Sequence, residues 1–136
     1  MLPKEHRLTS SRDHRAAMRD GARAGGSGLM VSVLARPNAV AANPETPDQE
    51  SWRCGLVVSK AVGNAVVRHR VQRRLRHIVM DLMREGALEP VAGHSWDIVI
   101  RAFPEITSLD HAQLRAEVLG AAQRAQRKSL RRASRS

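Results

Sequence analysis

At 136 residues the chain is long enough for one compact domain of about 100 residues plus tails, and too short for two ordinary domains. Its 23 Lys plus Arg against 13 Asp plus Glu leave a formal charge of +10, which calls for a polyanionic partner. The single cysteine, Cys54, excludes an intramolecular disulfide and a cysteine-rich zinc site, and no apolar run approaches the ~20 residues needed to span a bilayer.

Residues 1–8 read as a basic arm without the apolar stretch of a signal peptide, and 9–122 as a single α-β domain. Ser10 to Asp20, followed by Gly21, predicts a short helix with a glycine stop. Ala22 to Gly28 is glycine-rich and reads as flexible, whereas Leu29 to Ala35 has the β-branched content of a strand. Arg36 to Ser51 carries three prolines and two Asn and reads as a mobile surface loop between two strands of a hairpin. Strand character resumes from Trp52 to Lys60. Gly63 and Asn64 then mark a strand-to-helix turn in which Asn64 accepts the free amides of the first helical turn.

The long helix is expected from about Asn64 to Glu85, stopping before Gly86. Val67, Val71, Leu75, Ile78 and Leu82 form one apolar stripe along it. His69, Arg73 and Arg76 share one row, Arg70, Arg74 and His77 the next, and both rows are expected opposite that stripe. Ser95 to Pro104 predicts another strand, its run Ile98, Val99, Ile100 implying burial on both faces. Leu109, Leu114, Val118 and Leu119 with Ala112, Ala116, Ala121 and Ala122 predict a last amphipathic helix, N-capped by Ser108, and 123–136 is expected to be a disordered basic tail. The order is α-β-β-α-β-α. The fold class is α+β, an α-β sandwich with a small mixed sheet of three to four strands covered by helices.

Between Lys60 and Met80 stand six cations, Lys60, Arg68, Arg70, Arg73, Arg74 and Arg76, and no acid. Like charges three and four residues apart on a helix repel, so a sequence that keeps them has a polyanion to neutralise them. The competing reading is a merely solvated basic helix. Arg far outnumbers Lys, and its planar fork suits phosphate oxygens and base stacking. Cys54 reads as a small buried hydrophobe, Trp52 and Trp96 as sheet-end packing, and the six histidines show no metal-ligand spacing. The acids are scattered singly, Asp97 being the one inside a strand, so no carboxylate cluster offers itself to catalytic cations. No Ser/His/Asp or Cys/His order stands out either. A stand-alone RNA-binding module of ribosomal-protein or RNA-chaperone type, and an autonomous metal nuclease, are the competing classes.

The run CGLVVSKAVGNAVVRHRVQRRLR, Cys54 to Arg76, closely resembles the signature of the bacterial ribonuclease P protein, in which a Gly-Leu-x-Val-Ser-Lys strand leads through Gly-Asn-Ala-Val into Arg-Asn-Arg and a basic helix. The resemblance extends more weakly to Arg7 and Leu8, the first short helix, and the late strand ending near Ala102 and Pro104. It implies a left-handed βαβ crossover, against the usual right-handed rule. It also implies that the Arg-rich motif docks on a catalytic RNA, while the first helix and the sheet form a cleft for the single-stranded 5′ leader of precursor tRNA. The RNA would cut with Mg2+, beside one protein copy, in the cytoplasm, and no autonomous catalytic site is expected in the protein. The implied RNA contacts are Lys60, Asn64, Arg68, His69, Arg70, Arg73, Arg74 and Arg76. The sequence departs from the pattern at His69, where the family usually has Asn, and at Gln72, where it usually has Lys or Arg. Where the family commonly presents aromatics in the leader cleft, this chain has His14, Met18 and Ser32, so leader binding would lean on cations, on His14 or on backbone contacts.

Overall fold

The computed structural model describes residues 7–8, 11–37, 52–87 and 94–134; the expectations for the arm 1–6, the loop 38–51 and residues 135–136 lie outside the described residues. In chain order the elements are α1 (Ser11–Asp20), β1 (Ala22–Gly26), β2 (Leu29–Pro37), β3 (Trp52–Val58), α2 (Ala65–Arg84), β4 (His94–Ala102), a 3-10 turn (Pro104–Ser108) and α3 (His111–Ser134). The class is α+β, with one mixed sheet in the order β1-β2-β4-β3.

β4 runs antiparallel to β2 and parallel to β3 and lies between them, so β2 and β3 do not form the hairpin expected of them, and α2 is the crossover that returns the chain from β3 to its parallel neighbour. Strand alternation divides the side chains between two layers. Val31, Val33, Cys54, Ile98 and Ile100 meet Leu75 and Ile78 of α2 and Leu114 and Val118 of α3 in the main core. Val99 turns to the opposite face, where Leu8 and Ala17 pack on it together with Met18, Leu34 and Val57. β4 is thus buried on both sides, as its unbroken apolar run predicts. Each such aliphatic side chain contributes about 1.5–3 kcal/mol on burial. Trp52 and Trp96 are register partners at one end of the sheet, both buried, which is the packing role expected of them.

Three further expectations are corrected. The first concerns Ala22 to Gly28, which is a paired strand and a tight turn rather than a flexible stretch. Glycine weakens a strand on its own, but here α3 holds the hairpin. Glu117 accepts from the Ser27 amide at 2.9 Å, Arg124 donates to the Gly25 carbonyl at 2.8 Å, and Lys128 donates to the Arg23 carbonyl at 2.8 Å. These three side chains lie on one stripe of the helix. Gly28 takes φ +75, and a Cβ there would run into the backbone of Ile106, so the turn is glycine by necessity.

The second correction is the start of α3. Ser108 does not cap it; its hydroxyl donates to Glu105 within the 3-10 turn opened by Pro104. Asp110 and Gln113 instead bond reciprocally, each side chain to the other's amide, at 2.8 and 2.9 Å. The third is the C-terminal tail: α3 continues through Ser134. Its alanine-rich stripe extends past 122 to a fully buried Ala125, and alanine is the best helix former.

One charged pair sits inside this apolar frame. Arg53 and Asp97 are register partners on β3 and β4, and the guanidinium grips the carboxylate through two bonds of 3.0 and 2.9 Å. Asp97 is only 1% exposed, whereas Arg53 also reaches Asp13 of α1 at 3.3 Å. The pair therefore ties α1 to the sheet. Replacing Arg53 by alanine takes both bonds from a buried carboxylate. We expect Arg53→Ala to lower unfolding free energy by about 3–5 kcal/mol, measured by urea denaturation; a loss under about 1 kcal/mol would show that the pair does not hold α1 and the sheet together.

Candidate nucleic-acid interface

The basic motif is assembled at the turn from β3 into α2. Asn64 stands at the N-cap with extended backbone, and its Oδ1 accepts from the Val67 amide at 3.0 Å, the cap expected of it. The helix buries Val71, Leu75, Ile78, Val79 and Leu82 and ends with Glu85 as its C-cap, just before Gly86. Both limits match the sequence reading. With the apolar stripe fixed against the sheet, the rotation of the helix is fixed too, and so is the direction in which its cations point.

Lys60, Asn64, His69, Arg70, Arg73 and His77 are exposed, whereas Arg68, Arg74 and Arg76 are half-buried. The two cationic rows are therefore not both turned away from the core. At about 100° per residue Arg74 falls roughly 60° from the line of Val71, and its guanidinium folds over to donate to the Leu109 carbonyl at 3.0 Å. Arg76 lies close enough to Cys54 to act on it. Burial pushes the Cys54 thiol up to about 12, with the Arg76 charge pulling the other way. Cys54 is thus the inert core residue expected. The Nε of Arg68 is enclosed without a hydrogen-bond partner.

Among the described residues, none of Arg68, Arg70, Arg73, Arg74 and Arg76 joins an ion pair; the first acid on α2, Asp81, pairs with Arg84 one turn further on. The exposed surface around Arg70 and Arg73 is thus a field of one sign. Val66, 67% exposed, is the single large hydrophobic side chain left outside among the described residues, and it lies on the same side as Arg70 and Arg73, four and seven residues on.

His14, Met18 and Ser32 are brought together on the opposite face of the sheet, beneath or beside α1, but none of them is exposed. His14 covers Gly55, where a Cβ would collide with its imidazole, and its Nε2 hydrogen-bonds the Leu8 carbonyl. Met18 belongs to the small apolar cluster around Val99. Ser32 is 2% exposed, between Arg23 and Val99 in register. An aromatic ring would not fit at Ser32 without displacing its neighbours.

The uncovered part of this face lies one register step away. Gly25, Met30, Arg101 and Val57 are successive cross-strand partners there, Arg101 is exposed, and its guanidinium carbon stands 5.7 Å from the Phe103 ring centroid. Arg101 and Phe103 were missed in the sequence reading. A signal existed: Arg101 interrupts an apolar strand on the alternate face, and Phe103 is the only phenylalanine in the chain. An arginine stacked on an aromatic ring beside a shallow apolar row suits an unpaired nucleobase and its phosphate.

A family model described as Ribonuclease P matches residues 2–126. The chain is 42% identical to the ribonuclease P protein component of Corynebacterium diphtheriae, over 94% of this chain and 99% of that one. It is 44% identical to the component from Streptomyces bikiniensis, over 91% and 94%. Solved structures of the RNase P proteins of Staphylococcus aureus and Thermotoga maritima share the fold at TM-scores of 0.66 and 0.63, with 20% and 21% identity. The Staphylococcus protein is matched over 90% of this chain and 97% of its own, the Thermotoga protein over 89% and 96%.

Because the Asn64 cap holds the first turn of the cationic helix, Asn64→Ala should cost about 1 kcal/mol of stability. Urea unfolding with an unchanged m-value is the expected result, and a variant as stable as wild type would show that the cap does not hold that turn.

Proposed function

The chain belongs to the ribonuclease P protein family and is a protein subunit of that endoribonuclease, and on this premise we propose how it divides its two faces between two RNAs. The cationic face of α2 docks the catalytic RNA through Lys60, Asn64, Arg68, His69, Arg70, Arg73, Arg74 and Arg76. The acid-free surface around exposed Arg70 and Arg73 is the observation that carries this assignment. Arg74 and Arg76 serve partly from beneath, since both are half-buried and Arg74 is engaged with Leu109.

The other face receives the single-stranded 5′ leader of precursor tRNA. His14, Met18 and Ser32 form the packed wall of that path and Arg101, Phe103, Met30 and Arg23 its open floor. Exposed Arg101 beside Phe103 supports this shift of the contact surface. Arg23 lies across Ser32 on β1, also exposed. One protein serves one RNA, in the cytoplasm.

Cleavage resides in the RNA, with Mg2+. This chain does not itself fit the role of metal holder: among the described residues no three His, Cys, Asp or Glu side chains converge, and Asp97 is taken up by Arg53. The testing experiment is reconstitution with a bacterial ribonuclease P RNA and a precursor-tRNA cleavage assay at low Mg2+. Cleavage should require the RNA and be stimulated by the protein; cleavage by protein rigorously freed of RNA would overturn the assignment.

Two outcomes separate the faces. Arg70→Ala with Arg73→Ala should weaken binding to the catalytic RNA and flatten the dependence of log affinity on log salt by about 1.5, at roughly 0.7–0.9 per phosphate contact; an unchanged salt titration would reduce the helix to a solvated surface. Phe103→Ala should leave assembly intact and weaken the holoenzyme's hold on a precursor with a leader of several nucleotides by about 1 kcal/mol or more, the low end of one stacked base. Mature tRNA should be unaffected. An equal loss for both substrates would remove Phe103 from the leader path.

A further inference from the structure

The C-terminal half of α3 presents a second single-signed surface. From Val118 to the last residue the chain has six cations and no acid. Arg124, Arg127, Lys128 and Arg131 are exposed, at spacings of three and four that set like charges side by side. The fold gives partners to three of the four, Arg124, Lys128 and Arg131. Arg124 and Lys128 satisfy carbonyls on the outer edge of β1. A helix dipole favours cations only near its last turn, and Arg127 stands about two turns before Ser134. Among the described residues Arg127 makes no hydrogen bond or ion pair.

Direction matters as much as charge. With Leu114, Val118, Ala121 and Ala125 buried against the sheet, Arg127 points to the opposite, outer side of α3 and Arg131 lies one turn on. α2 packs on the same side of the sheet, so its outer row of His69, Arg70 and Arg73 faces the same way. The two surfaces are separated. Arg74 of α2 reaches Leu109 beside the start of α3, whereas Arg127 is about 24 Å further along the axis from His111, at 1.5 Å per residue. Between them Arg115 and Glu85 neutralise each other.

We propose that the C-terminal half of α3 is a second docking surface for the catalytic RNA, with Arg127 and Arg131 holding phosphates. The proposal rests on the chain being a ribonuclease P subunit, and it goes beyond the α2 contact. Charge complementarity selects a polyanion. The side of the sheet selects the catalytic RNA over the precursor, whose leader path lies on the α1 face. Two separate contacts on one rigid layer fix the orientation of the protein on the RNA, which a single patch does not, and the second forms at high effective concentration once the first is made.

The test uses the full-length protein and a bacterial ribonuclease P RNA. Arg127→Ala with Arg131→Ala should lower affinity about tenfold and flatten the salt slope by about 1.5, with unfolding unchanged, and Arg127→Lys with Arg131→Lys should restore most of both. The Arg70→Ala, Arg73→Ala variant is measured in parallel: if it alone weakens binding, the second surface falls and the α2 reading stands, and if the α3 variant alone does, the reverse holds. Position is read independently with Gly120→Cys carrying a tethered iron chelate, since buried Cys54 is inaccessible to the reagent. A Cβ at residue 120 meets only the end of the flexible Arg124 side chain. Radical cleavage of the catalytic RNA, with or without precursor, is the expected result. Cleavage confined to the precursor would assign the surface to the substrate, and unchanged affinity with no cleavage of either RNA would leave only a solvated helix; either overturns the proposal.

Discussion

β4 is the constraint on which the rest of the molecule depends. A strand buried on both faces needs two covering layers, and these are supplied by α2 and α3 on one side and by α1 with Leu8 on the other. The apolar requirement is broken once, at Asp97, and the break is met by Arg53, which lies directly opposite it on β3. A buried pair of this kind gives little net stability compared with an apolar pair of the same shape. Its effect is positional: Arg53 also holds Asp13, so the thin α1 layer, which shares only a small apolar cluster with the sheet, sits at one defined angle.

The same economy governs α2. One helix must supply five buried side chains of the main core and also the most strongly charged surface, and the two demands compete. Repulsion among Arg70, Arg73 and Arg74 costs a few tenths of a kcal/mol for each neighbouring pair, a tax the free protein carries at all times. Neutralisation by phosphates removes it, and any ligand that binds only the folded state adds stability by mass action. On the proposed docking of α2, the chain would thus be more stable in its ribonucleoprotein than alone.

Long-range periodicity made most of the fold legible in the sequence. The stripe Val67 to Leu82, the cap at Asn64, the stop before Gly86 and the unbroken run at Ile98 to Ile100 each carried a local physical signature, and each is found where expected. The misreadings arise where tertiary partners override local chemistry. β1 is glycine-rich and looks unstructured until Glu117, Arg124 and Lys128, some ninety or more residues later, are seen to hold it. The helical tail was obscured because its charges hid an alanine stripe ending at Ala125. In the site, the exposed arginines of α2 were legible from spacing alone, whereas the depth of Arg74 and Arg76, the closure of Ser32 and the pairing of Arg101 with Phe103 depend on how layers stack. No one-dimensional pattern encodes that.

The hold of α3 on β1 has a consequence of another kind. β1 borders the sheet, and an uncovered border strand offers its free backbone groups as a template on which other chains can add, the usual route to edge-to-edge aggregation. This strand is glycine-rich, the sort whose pairing register is weakly specified and open to such recruitment. By occupying the outward carbonyls of Arg23 and Gly25 with the charged ends of Lys128 and Arg124, the helix leaves an incoming strand no ladder to join. The cations Arg124 and Lys128 on this flank of α3 therefore shield the open edge of β1 from strand addition.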